Sequence, residues 1–458
     1  MGARITDSAL YGHQWGTDEL REIFTEEARI QGWLDVLVAL AEAQAELGII
    51  PFEAARAIAA NSSVRRLDLD YMAEETMRTG HSTLGLIRAL GRVMPAEAAE
   101  WIYYGATVQD VTDTWTALTM RNVARVVWRD LRAIEHVLIE LAQRHRDTIM
   151  AGRTHGQLGS AITFGLKAAG WADEIRRHLH RWRDAAPRLL VGQLGGGVGT
   201  LAFFGDRGPE LRRIFCARLG LHDPGIAWLA ARDRIVEFVH LLAMVAATLA
   251  RFGNELYQLQ RPEIDELREP QRRGTVGSIT MPHKRNPEVA EHLVTLSRLV
   301  RVQADVVLEG MVQEHERDGR GWKAEWVALP EACLLTGTGL FLALGVMDGL
   351  EVRAEAMRNN VESQRRLLVS ENVLALLAPK IGKHRAQAAL QQALQEARDG
   401  GLTLEEALAA SEPLRAHVDL TGGEPAWASP NAGASGLMVD FVVSRARRER
   451  AGESDAWP

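Results

Sequence analysis

From Thr114 to Asp147 apolar residues recur at steps of three and four: Leu118, Val123, Val126, Val127, Leu131, Ile134, Leu138 and Leu141. This is the period of one helix face. Arg232 to Gln260 repeats it with Ile235, Phe238, Val239, Leu242, Val245, Leu249 and Phe252, and Val289–Met311 and Leu329–Val361 follow the same pattern. Helices of roughly thirty residues exceed the ordinary three turns and predict an all-α chain built on a long bundle. No run of comparable length alternates with period two. Three regions are expected: short helices and turns over 1–110, the long helices over 111–362, and a small helical region over 363–458 that ends in Gly-, Pro- and Ser-rich segments. The last residues, GESDAWP, are expected to be disordered.

Composition narrows the class. The chain has 458 residues, 25% of them charged, and a net charge of −7. That balance disfavours a nucleic-acid binder, since the basic residues are scattered. Cys216 and Cys333 are too few for a disulfide framework and read as buried free thiols, as in a reducing compartment. The fourteen histidines are dispersed without ligand spacing, so neither a metal nor another cofactor is expected. MGARITDSAL lacks an apolar signal core. Its loose myristoylation pattern has no polybasic second signal. The apolar stretches Val239–Leu249 and Ala332–Met347 are short for a membrane span. A cytoplasmic protein without a membrane or nucleic-acid partner is the expectation.

The run Gly274–His292, GTVGSITMPHKRNPEVAEH, carries the most chemistry. It sets Ser278 among glycines, six residues before Lys284 and eight before Asn286, with Glu291 five further on. Two other runs share its character: Gly105-Ala106-Thr107-Val108-Gln109-Asp110, and Gly152-Arg153-Thr154-His155-Gly156-Gln157. Gly195–Gly199 lacks both a preceding strand and the spacing of a nucleotide loop, so it reads as a tight loop near the bundle end.

In that order and separation the three blocks resemble those of the fumarase/aspartase superfamily, whose signature is Gly-Ser-Ser-x-Met-Pro-x-Lys-x-Asn-Pro. Ile279 stands where a second serine is usual, and Val108 replaces a serine in the first block. The resemblance implies a three-domain all-α subunit and a homotetramer with a twenty-helix core. Each active site then combines blocks from three subunits around a small dicarboxylate.

The chemistry asks for these residue types. Removing a proton beside a carboxylate needs a base near the carbon and cations or amides to hold the dianion that forms. The resemblance implies Ser278 as the base, in a loop that closes over the substrate, with Gly277 expected to take an unusual backbone angle. It implies His155, oriented by Glu291, as the acid for the leaving group. His155 alone, beside a helix start, would read as a cap or a surface residue. Thr107, Gln109, Thr154, Gln157, Arg232, Lys284, Asn286 and Arg317 are the implied substrate contacts. His81 matches a second histidine of adenylosuccinate lyases, although Ser82 replaces the aspartate that follows it there. A structural role for His81 stands equally.

Substrate class divides the alternatives. Adenylosuccinate lyases place Ser and Arg after a Glu-Arg pair to bind phosphate; here Glu316-Arg317 is followed by Trp322 and Trp326, which cannot replace them. Trp228 also stands where those enzymes carry Gln. The segment EHERDGRGWKAEW and the Trp228–Arg232 spacing resemble bacterial 3-carboxy-cis,cis-muconate cycloisomerases, yet those tend to lack the acid histidine kept here as His155. The expected activity is β-elimination from a substituted succinate with release of fumarate, the leaving group being an amine, an alcohol or a nitrite-like anion. A cycloisomerase, an adenylosuccinate lyase and a non-catalytic helical scaffold are the alternatives. Intact reactive residues disfavour the scaffold.

Overall fold

Long helices dominate the computed structural model, which describes residues 4–271, 274–418 and 426–458. They span Glu26–Glu46, Val108–Arg144, Phe164–Leu189, Asp233–Leu259, Glu288–Glu309 and Gly319–Asp348. The Asp233 helix packs on the Glu288 and Gly319 helices, and the Val108 helix on the Phe164 helix. The all-α expectation holds. The fourth predicted helix starts ten residues before its expected Leu329, because Asp318 caps the Gly319 helix through the Arg320 N–H at 2.9 Å. It ends at Asp348, before Gly349.

Two of these helices, Asp233–Leu259 and Gly319–Asp348, are long and apolar enough to cross a membrane by length and composition. Their most apolar windows are 72% and 61% buried inside the bundle, respectively, which accounts for the composition. The Asp233, Glu288 and Gly319 helices carry exposed Met244, Leu299, Val302, Val306, Val327 and Phe341.

The described core has two large clusters and one small one. The first runs from Leu20 to Met357 and takes in Val439, Val443, Ala446 and Trp457; the second gathers buried residues such as Val373, Leu390, Leu408 and Trp427; the third joins Ala151, Val361 and Leu368. The chain therefore leaves the bundle, builds a small helical unit, and returns through the helix Ser435–Gly452. The expected disorder of the last residues is corrected here. Trp457 is buried and donates its indole N–H to Trp182 O at 3.0 Å. Glu453 accepts from buried Arg176 at 2.6 Å.

The chain also holds a short hairpin. Ile149–Thr154 (β1) and Gln157–Thr163 (β2) pair antiparallel with Thr154 opposite Gln157. The register slips between Ala151 and Arg153, a bulge that hides any period-two pattern. The two linking residues, His155 and Gly156, have φ of 54° and 74°, the signature of a type I′ hairpin turn.

Candidate active site

The first block forms a corner that the chain completes by itself. Thr107 caps the Val108 helix in a capping box with Asp110. Asp110 Oδ2 accepts from Thr107 N at 2.9 Å and from Gly196 N at 3.0 Å, while Oδ1 accepts from Gly195 N at 2.8 Å. Arg317, just ahead of the Gly319 helix, donates to Thr107 Oγ1 at 2.7 Å. Tyr103, in a left-handed conformation with φ of 61°, lies against Asp110 and Arg317. Its phenol is held above its usual range by burial first and Asp110 second. Gly105 has φ of 73°, and a Cβ there would stand 2.3 Å from the Phe204 ring. This corner therefore tolerates no side chain at Gly105. His81 is close in sequence to this corner and serves a local purpose. Its Nδ1 accepts from Leu84 N at 3.2 Å and Thr83 N at 3.4 Å, capping the helix Leu84–Arg92. That arrangement leaves Nε2 as the protonated nitrogen of the neutral ring.

Gln109 and Arg232 lie behind the corner, not in it. Arg232 is 1% exposed and is gripped from both sides, by Asp113 at 2.7 and 3.1 Å and by Glu325 at 2.9 and 2.5 Å. Gln109, equally buried, donates to Asp113 and to Leu229 O. Both were expected as substrate contacts. Asp113 holds Gln109 from four residues on along the same helix, whereas the two acids that grip Arg232 lie 119 and 93 residues away and could not be paired with it from spacing alone. Trp228 is buried too, donating its indole N–H to Gly192 O at 2.9 Å. Trp322 and Trp326 pack edge to face at 4.9 Å and, with Trp33, Trp115 and Arg29, line a largely apolar cavity of about 90 Å³.

The second block sits at the hairpin tip. Thr154, His155, Gly156 and Gln157 are all exposed. His155 sits in the turn of the hairpin, not beside a helix start. Below it Arg153 makes two hydrogen bonds, at 2.9 and 2.8 Å, to the fully buried Glu266.

The third block is an open loop. Ser278 Oγ accepts from Met281 N at 3.0 Å, and Lys284 N donates to Met281 O at 3.0 Å. Lys284 is exposed and Asn286 half-buried, while Ile279 is 97% exposed. Gly277 is needed for proximity rather than for an unusual angle: a Cβ there would lie 2.4 Å from Lys284 O. The left-handed φ belongs to Gly274, at 92°. At the root of the loop Glu269 receives Ala290 N at 2.9 Å and Val289 N at 3.2 Å, capping the Glu288 helix. Burial raises the pKa of this carboxylate, against the pull of those amides.

Among the described residues no hydrogen bond or ion pair joins the three blocks' reactive side chains, and Glu291, exposed on the first turn of its helix, has none to His155. What the structure brings together is Thr107 with Arg317, and Ser278 with Lys284 and Asn286 along one loop. Asp110 and Glu269 were missed as organisers. The Thr107–Asp110 spacing carried a cap signal for the first; nothing local marks the second.

A family model described as "Lyase" matches residues 13–302. The N-acetyl-S-(2-succino)cysteine lyase of Dickeya dadantii is 42% identical over 386 residues, covering 84% of this chain and 85% of that protein. The 3-carboxy-cis,cis-muconate cycloisomerase of Pseudomonas aeruginosa is 37% identical over 408 residues, 88% of each. Among solved structures, the 3-carboxy-cis,cis-muconate lactonizing enzyme from Pseudomonas putida is similar with a TM-score of 0.87 at 34% identity, covering 96% of this chain and 99% of that one.

Proposed function

The chain belongs to the lyase family of the fumarase/aspartase superfamily, and on that premise we propose that it cleaves a carbon–sulfur bond in a thioether of succinate. It is a fumarate-releasing lyase acting on a small dicarboxylate. The likeness to the Dickeya dadantii enzyme carries the choice of sulfur, with an N-acylated cysteine as the leaving thiol.

In this reading Ser278 removes the proton from the carbon next to one carboxylate. The C–H electrons become the second bond of fumarate, and the C–S bond breaks with its pair passing to sulfur. The amide that Met281 already donates to Ser278 Oγ favours an anionic serine. Lys284 and Asn286, with Thr107, Thr154, Gln157 and Arg317, hold the carboxylates and the charge that grows on them. His155, oriented by Glu291, protonates the departing thiolate. A thiolate is a stable anion, since a cysteine thiol has a pKa of roughly 8.5, so this step asks little of the acid.

The same reading requires other copies of the chain. Three blocks whose reactive side chains share no hydrogen bond or ion pair among the described residues, and the exposed apolar side chains of the Asp233, Glu288 and Gly319 helices, support a homotetramer whose sites draw on several subunits. The test is fumarate release, followed by its ultraviolet absorbance, from N-acetyl-S-(2-succino)cysteine, the non-acetylated thioether, and the amine and ether analogues. 3-Carboxy-cis,cis-muconate belongs in the same panel because of the cycloisomerase likeness. Preferred turnover of the thioethers is expected; exclusive turnover of an amine analogue or of the muconate would overturn the choice of sulfur.

A further inference from the structure

Resting on the reading that the Thr107 corner belongs to the active site, we propose that Asp110 is a positioning residue whose ionised carboxylate locks Thr107 and the Gly195–Gly199 loop together and thereby places Arg317. Three backbone N–H groups converge on it: Thr107 at 2.9 Å, Gly195 at 2.8 Å and Gly196 at 3.0 Å. They come from segments 85 and 86 residues away along the chain, as well as from the cap itself. Arg317 closes the ring by donating to Thr107 Oγ1 at 2.7 Å and approaching Gly197 O at 3.5 Å. Thus three separate pieces of chain, each bordering the corner, are registered by one side chain that does not itself face the substrate.

The arrangement needs a group that accepts on both oxygens. Each oxygen of Asp110 meets at least one N–H, so a proton on either, or the NH₂ of an asparagine, would set donor against donor. Asp110 is 1% exposed, and burial raises its pKa, to about 7, against the three amides that favour the anion. The charged and titratable groups around it are Tyr103 from the preceding segment, Asp113 from its own helix and Arg317 from the approach to the Gly319 helix. Asp113 is itself neutralised in part by Arg232. With the folded pKa above the ordinary value near 3.8, the anion is favoured only as pH rises through neutrality. Burial sets the raised value, but the three amides favour the anion relative to the same buried carboxyl without them. Their hydrogen bonds to Asp110 are therefore strongest above neutrality and weaken as the carboxylate takes up a proton.

The experiment compares wild type with Asp110→Asn in two ways: kcat/KM for fumarate release across pH, and amide hydrogen exchange at Gly195 and Gly196. The variant should lose about 10²-fold in kcat/KM, the scale of a misplaced binding group. It should also lose the acid limb near neutral pH and exchange both glycine amides faster. If the variant does not fold, the wild-type amides serve alone. Corrected for the intrinsic effect of pH, their protection should fall as pH drops through neutrality. A folded variant with the wild-type pH profile and unchanged protection overturns the proposal, as does pH-independent protection in the wild type. If wild type releases no fumarate from any succinyl thioether while the variant's amides lose protection, the functional reading fails and the hold of Asp110 on the loop stands.

Discussion

The Thr107 corner and the Ser278 loop carry the same kind of chemistry and are built in opposite ways. At the corner the groups that set the geometry are paired within the chain: Asp110 takes three amides, Arg317 takes Thr107, and Arg232 behind them is sealed between two carboxylates. Along the loop Lys284 and Ile279 stand exposed, and Ser278 has one backbone contact. A site that binds a dianion and then closes needs both. The corner supplies fixed geometry, because reorganising it during the reaction would cost what preorganisation avoids. In the proposed reaction the motion falls to the loop, where the described contacts of Ser278 and Lys284 are few.

Substitutions that break this contrast are ordered by size. Ser278→Ala should lower kcat by about 10²–10⁴-fold, the usual worth of a positioned acid or base, with KM near its original value. Unimpaired turnover would sink the assignment of the base. Mixing this variant with one inactivated at the other region, Arg317→Ala, should restore part of the activity through hybrid sites; a failure to complement, with a monomer in sedimentation, would count against shared sites. Arg232→Ala should act on the fold instead: leaving Asp113 and Glu325 buried without a cation costs about 3–5 kcal/mol. A denaturation curve with an unchanged midpoint would return Arg232 to the substrate side.

A matched pair of glycines sharpens the comparison. Gly105→Ala forces a side chain into a left-handed position against Phe204 and should destabilise by roughly 1–3 kcal/mol, read as a lower Tm. Gly277→Ala meets only the loop's own backbone at Lys284. It should leave Tm unchanged while turnover falls. Equal effects of the two on Tm would erase the distinction. The smallest change is expected from His155→Ala on a thioether, well below the roughly 10²-fold floor for a needed general acid. A loss as large as that of Ser278→Ala would show that the leaving group departs badly, as an amine does.

Much of this contrast could be read from the sequence, and its missing part has a physical cause. Apolar steps of three and four located the Val108, Asp233 and Glu288 helices because each buries a continuous face. The hairpin escaped because it is short, bulged and turned by His155-Gly156, where a histidine occupies a position that usually favours Asn or Gly. Block residues were legible by type. Which of them face a site was not: the burial of Gln109 and Arg232 depends on Asp113 and Glu325, and Glu325 lies 93 residues from Arg232. Gly277 shows the same limit, since its need for proximity depends on Lys284 folding back over it.

Glu269 has a consequence beyond the site. By receiving Val289 N and Ala290 N it fixes where the reactive loop departs and where it lands. The described residues between those points hang from two fixed ends, with Ile279 and Lys284 exposed between them. A designer could exchange the stretch around Ile279 for that of a relative with another leaving group and expect the graft to seat without repacking the bundle. The same modularity offers natural variation a place to alter chemistry while the frame stays as it is.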